Sequence, residues 1–371
     1  MASLLSLPPE ICSIICDHVD TSLAPLCRIS RPFRDQAQRK MYRKVDLQDS
    51  SMRLVKSWCL AVTRNPHLEN RVWALMLQLP DFLEPKEAEF LSRAFAVCVN
   101  LKRLAVHHRP GSKPESNSQS WVLKGSFELE RFFNTYFSMP YGAFFGRQPH
   151  IRVLSLPFAS SYAPFYNKLE FTNLLAIDAP LDVVRRLSEA KAALPLERIQ
   201  IRHDRSAPDL SSLSRFAPTL KVFTVVREGK RFGAETLAVV DEILKVFPRL
   251  HHLGICEKER WESAAIADLV LQRLQQFTSL TTITLRLCRW VSFLHPTGFR
   301  TLNNGTQLRE FGTRILATCA TLRSATIAVQ FAESDGQEGI ACTVTKESDG
   351  SVSATFEDEL EEDSFYAMIF D

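Results

Sequence analysis

The chain has 371 residues, 45% of them hydrophobic and 23% charged, with a net charge of +3; this is the make-up of a folded globular protein, not of a disordered or fibrous one. No apolar run approaches the roughly 20 residues of a membrane span, and no basic region precedes the first apolar stretch, which argues against a secretory leader. The nine cysteines are scattered, with no Cys-x-x-Cys pair, and point to a reduced protein with buried thiols, in the cytoplasm, the nucleus or both.

Charge is uneven along the chain. Residues 1–79 carry 11 Lys+Arg and 7 Asp+Glu, residues 80–329 carry 33 and 23, and residues 330–371 carry 1 and 12. A basic body therefore bears an acidic end, including "EDELEED" (Glu357–Asp363), which reads as a solvated segment. The basic residues are not gathered into a block with interleaved aromatics, so nucleic acid is not an expected partner.

The first elements are short. "PPEICSIICDHV" places Ile11, Ile14, Ile15 and Val19 at helical spacing behind two prolines, which are harmless in a first turn. "TSLAPLCRIS" offers a capping Thr21 or Ser22, then Leu23, Leu26 and Cys27 on one face. "RPFRDQAQRKMY" sets Phe33, Ala37 and Met41 at intervals of four. Three short helices are expected, followed by a strand over Lys44–Leu47. So small a module buries little by itself, and either docks on the rest of the chain or is covered by a partner.

Downstream, an apolar-x-x-apolar-x-apolar pattern recurs at Val72–Leu77, Leu101–Val106, Ile151–Leu156, Leu196–Ile201, Leu220–Val225, Leu250–Ile255, Leu280–Leu285 and Leu322–Ile327, with a poorer copy at Phe171–Ala176. Amphipathic helices are expected between them at 181–194, 234–247, 263–277 and 306–319, with prolines at the joins. The loop-like "HHRPGSKPESNSQS" (107–120) and the aromatic-rich 131–146, read as a buried helix and turn, interrupt the alternation. Near the end, residues 340–359 alternate in period two around Asp349-Gly350, the pattern of a hairpin.

Two resemblances follow. "LPPEICSIICDHV…LAPLCRISRPFRDQAQRKMYRKVDL" resembles the F-box, with its L-P-x-E-I opening, apolar first helix, "C-R-x-S"-like centre, "F-R" step and closing aromatic; Met41 stands where that family has Leu. The recurring strand pattern resembles the leucine-rich repeat, although spacings wander and only Cys288 and Asp204 stand near its asparagine or cysteine position. The fold implied is α/β: a three-helix F-box over 1–47, an irregular leucine-rich-repeat-like solenoid over 48–339, and a hairpin cap with an acidic tail over 340–371. A doubly wound α/β domain is the structural rival, but no Gly-rich phosphate loop follows any strand.

The chemistry-bearing residues suggest no catalysis. There is no G-x-S-x-G elbow, H-E-x-x-H helix, Walker loop or dinucleotide fingerprint. His107-His108 and His251-His252 are adjacent on expected strands and point to opposite faces, so neither pair can clamp a metal. Cys12 and Cys16 share a helix face without further ligands. No catalytic group, metal or cofactor is expected. The F-box resemblance implies a substrate-recognition adapter of a cullin-based ubiquitin ligase, acting by proximity. Leu7, Pro8, Ile11, Leu26, Cys27 and Phe33 would dock on the ligase's linker subunit, the S-phase-kinase-associated protein, with Glu10 and Arg34 at the rim. The position after each strand's last apolar residue, which includes His107, Arg202, Val226, Cys256, Arg286 and Ala328, would face a protein target; the arginines suit an acidic or phosphorylated one. A repeat-type binding protein without ligase association, and an enzyme with an unrecognised cysteine or histidine site, are the readings left open.

Overall fold

The computed structural model describes residues 7–19, 23–80, 82–108, 120–137, 144–159, 171–189, 194–203, 208–227, 234–257, 264–288, 305–330 and 340–357. The chain divides into two compact units, with the boundary between Asn173 and Leu174.

The first unit opens with α1 (Pro9–His18), a single 3-10 turn over Leu26–Arg28 and α2 (Arg31–Arg43). Strands β1 (Lys44–Leu47), β2 (Ala74–Leu79), β3 (Arg103–His108), β4 (Arg131–Asn134) and β5 (Val153–Ser155) pair in chain order, all parallel. Between β1 and β2 lie α3 (Met52–Arg64) and α4 (Pro66–Glu69); α5 (Pro85–Val97) joins β2 to β3. Side chains on a strand alternate between faces. One face of this sheet carries Leu75, Leu104 and Phe132, each fully buried. Beside them Phe132 meets Phe144 at 4.9 Å and Phe95 meets Trp121 edge-on at 4.9 Å between ring centres, the geometry that aromatic quadrupoles favour.

The second unit holds β6 (Ala176–Pro180), α6 (Leu181–Ser188), β7 (Arg198–Arg202), a 3-10 turn over Ser211–Phe216, β8 (Val222–Arg227), α7 (Ala234–Val246), β9 (His252–Glu257), α8 (Ala264–Leu274), β10 (Thr282–Cys288), α9 (Gly305–Thr318) and β11 (Ser324–Gln330). These six strands are parallel neighbours in chain order. Then β12 (Ile340–Lys346) pairs antiparallel with β11, and β13 (Val352–Glu357) antiparallel with β12. The helix-side face is apolar: Ile199, Ile201, Phe223, Val225, Leu253, Ile255, Ile283 and Leu285 are all at most 1% exposed. Glycine is needed at two close approaches. A Cβ on Gly312 of α9 would lie 2.5 Å from Val344 Cγ2, and one on Gly254 in β9 would lie 2.6 Å from Thr224 Oγ1 of the neighbouring strand.

Strand approaches share one feature. The first apolar residue of each expected strand is buried just before it, as at Leu101, Leu196, Leu220, Leu250, Leu280 and Leu322. The next two backbone N–H groups share one carbonyl of the preceding segment; those of Lys221 and Val222, for example, both donate to Glu197 O at 2.8 and 3.0 Å. The expected strands therefore begin about two residues late.

Two parts of the expected architecture are corrected. The three-helix F-box is not formed: the chain begins with one short helix, α1, and where a second helix was expected there is only the 3-10 turn Leu26–Arg28, preceded by Pro25. Thr21 and Ser22, the expected caps, lie outside the described residues. The leucine-rich-repeat solenoid is also replaced. The strands build open, mostly parallel sheets with interspersed helices, and the returns do not repeat a unit: α3 with α4, an α-helix, or a 3-10 turn alone. The returns of a repeat array must be alike for identical interfaces to stack, and these are not. The C-terminal hairpin is present, with Gly350 at φ +84° in its turn. Residues 131–134, read as helix, are the parallel strand β4, and α3 and α5 are additions to the sequence reading.

Candidate partner-binding surfaces

The N-terminal segment has a core of its own. Cys12 and Cys16, one turn apart on α1, pack with Leu23, Phe33 and Ala37, and Leu7, Ile15, Val19, Leu26, Cys27 and Ile29 lean on them. Burial, followed by the neighbouring Cys12 and Asp17, pushes the Cys16 thiol above its ordinary range. Lys40 of α2 donates to the Cys16 and Asp17 carbonyls at 2.7 and 3.0 Å, which satisfies acceptors orphaned at the end of α1. The Ser30 hydroxyl accepts from Phe33 N at the start of α2, an N-cap.

With the thiols inside, part of the aliphatic stripe is outside. Ile11 is 41%, Ile14 54% and Met41 40% exposed. Pro8, Pro9 and Glu10 are exposed too, so the start of α1 presents prolines and isoleucines to solvent together with one carboxylate. Of the expected docking residues, Pro8, Glu10, Ile11 and Arg34 are exposed and Leu7, Leu26 and Cys27 are half-buried. Phe33 is 1% exposed and fills the small core, so it supports this surface from within. Arg34 donates its Nε to the Cys27 carbonyl at 3.1 Å, joining α2 to the 3-10 turn. Ile14 and Met41 are additions; their helical spacing was legible, but their direction was not.

The expected target-facing positions of the second unit fall on a single cross-strand row. Arg202 is registered with Val226, Val226 with Cys256, Cys256 with Arg286, and Arg286 with Ala328. Two residues earlier on the same face runs Gln200, Thr224, Gly254, Thr284 and Thr326. This face is opposite the apolar one and carries polar and small side chains. Arg202 is tied to the fully buried Asp178, Nε to Oδ1 at 3.4 Å, and is itself only 16% exposed. Arg286 and Cys256 are half-buried, whereas Ala328 is buried. The helix-side end of β8 and β9 holds a second buried pair. Arg227 Nη1 donates to Glu257 Oε1 at 2.8 Å, and the Thr236 hydroxyl donates to the same carboxylate; all three are at most 8% exposed. A charge pair buried with a third hydrogen bond is a structural fixture.

His107 belongs to the first unit, registered with Gln78, so it is not on the Arg202–Arg286 row. It stacks on Phe133 at 4.5 Å between ring centres. Burial, with His108 beside it, pulls its pKa down to about 4. His252 is likewise pulled down to about 4, by burial and then by Arg198, and shares a 2.7 Å hydrogen bond with Thr282 Oγ1. Asp204 lies outside the described residues.

Among the described residues, no group of three or more His, Cys, Asp or Glu is placed to hold a metal ion, and no helix is long and apolar enough to cross a membrane. No protein-family model matches the chain, and comparison with curated proteins returns no match.

Proposed function

We propose that this chain is a non-catalytic adapter of a cullin-based ubiquitin ligase, working in the cytoplasm or the nucleus, whose N-terminal segment docks on the S-phase-kinase-associated linker subunit. The observation that carries the reading is that Pro8, Ile11 and Ile14 of α1 and Met41 of α2 are exposed on a segment whose small core is already filled by Cys12, Cys16, Phe33 and Ala37. Apolar side chains left exposed on so small a module are a feature of interaction sites. The residue-level likeness of 7–47 to the F-box supplies the identity of the partner. The row from Arg202 to Arg286 receives the target, an acidic or phosphorylated segment suited to guanidinium forks. The chain contributes position only: it raises the concentration of a target's lysines near an activated thioester.

A titration of purified linker subunit tests this reading. Truncating an anchor near an interface centre costs roughly 2 kcal/mol or more, so Leu7→Ala with Pro8→Ala should weaken association by roughly two to three orders of magnitude. The circular dichroism spectrum should remain that of the wild type. Equal affinities would remove the adapter reading and leave a binding protein without ligase association. A collapsed helical signal would mean that these residues serve the fold; Ile14→Ala, at an exposed position, then decides.

A further inference from the structure

The two outermost strands among the described residues differ in how their outer edges are protected. β1 is four residues long and carries exposed Lys44 and Asp46, devices that discourage a further strand from adding. β13 is six residues long, and "VSATFE" contains no proline, no lysine and one charge, Glu357, at its very end. Among the described residues β13 pairs only with β12.

The backbone phase of β13 is set by its hairpin. Glu347 N donates to Ser351 O at 2.8 Å, so this pair is of the hydrogen-bonded kind. Such pairs alternate along an antiparallel ladder, so Ser353, Thr355 and Glu357 turn their backbone groups toward β12. Val352, Ala354 and Phe356 turn theirs away from β12. The side chains of these same three residues continue the apolar helix-side layer, since they are registered with Lys346, Val344 and Cys342, of which the last two are fully buried. That layer ends at Phe356, which rests against Gly305 of α9 yet is 50% exposed.

We infer that β13 pairs with β13 of a second copy of this chain, antiparallel about a two-fold axis through Ala354. Centring there sets Ala354 opposite Ala354 and Val352 opposite Phe356. Each residue with an outward N–H and C=O then meets another, and apolar side chains meet apolar side chains on one face while Ser353 meets Thr355 on the other. The single charge, Glu357, falls opposite Ser351 and not opposite its own copy. The pattern is thus self-complementary, as an isologous contact requires. One edge strand of this length buries well under the roughly 1,200 Å² of a stable interface, so the dimer is reversible and depends on concentration.

Sedimentation of the full chain across a concentration series should show monomer passing to dimer. Ala354→Pro removes an outward N–H that bonds nothing within the β12–β13 ladder, and Phe356→Lys places a charge on the edge. Each should weaken association at least tenfold while thermal unfolding stays close to the wild type. Residues opposite each other in a hydrogen-bonded pair lie about 5.5 Å apart at Cα, within disulfide reach. Ala354→Cys should therefore give a covalent dimer under mild oxidation, well above the wild-type chain treated identically. A wild type that stays monomeric throughout overturns the inference. So does a dimer that survives both edge variants, or an Ala354→Cys chain that cross-links no more than the wild type. Should Ala354→Pro fail to fold, Phe356→Lys and the cross-link decide.

Discussion

Asp178 is a carboxylate at 0% exposure, and the Arg202 guanidinium lies 3.4 Å away. Removing one member of a buried ion pair weakens the compensation of the other charge and is destabilising. Arg202→Ala should lower the denaturant midpoint accordingly, and adding Asp178→Asn should recover a good part of the loss; a neutral Arg202→Ala would contradict this. Lysine at 202 should rescue incompletely, since it lacks the planar fork. Arg202 therefore has a structural duty whatever it binds, and partner capture by variants at 202 must be read beside their stability. His107 and His252 give a pH signature of their own. Folded, both are held near pKa 4; unfolded, each returns to about 6.5. Between those values the unfolded chain binds more protons, so stability falls as pH drops from about 6.5 to about 4 and levels off below. Thermal melts of wild type and the His107→Gln, His252→Gln pair should diverge over that window, with the double variant showing the flatter profile.

At the scale of the element, the hairpin is the clearest piece with a testable share in stability. Ala341, Cys342 and Val344 of β12 are buried, and Val344 reaches α9 at Gly312. Ending the chain before Ile340 should expose this apolar layer and lower the melting temperature markedly, whereas ending it before Glu361 should change it little. A large loss from the shorter deletion would contradict the assignment. The same scale shows what could be read from residues alone. β1 was legible over Lys44–Leu47 because its alternation is bounded by a helix full of charge. Most later strands were legible but displaced, because the first leucine of each pattern plugs the core before the ladder begins. β4 was hidden: "RFFN" has its two phenylalanines adjacent, so period two gives no signal. α3 carries Val55, Trp58, Cys59 and Val62 at helical intervals, and α5 carries a proline start with a Glu84–Glu87 capping box. Both signals stand in the sequence beside the stronger strand patterns. On α1, Cys12, Cys16 and the isoleucines all fit helical spacing, and only the closeness of Phe33 and Ala37 decides which of them face inward.

At the scale of the whole molecule, resemblance pointed to a repeated architecture, yet the chain alternates strand and helix without a repeated unit. The alternation of strand and helix is legible in the sequence; the division after Asn173 is not. The proposed labour follows that division, with linker docking on a surface of the first unit and the target row in the second. Buried thiols are distributed over both units: Cys12, Cys16, Cys59 and Cys98 in the first, Cys319 and Cys342 in the second. Burial pushes Cys59 and Cys98 up to about 12, so an alkylating reagent, which needs the thiolate, reaches them only when the surrounding structure opens. The chain thus carries its own set of clocks. Peptide-resolved alkylation should time the opening of each unit separately, and bound linker subunit should slow the Cys12 and Cys16 clocks while those of Cys319 and Cys342 keep their pace.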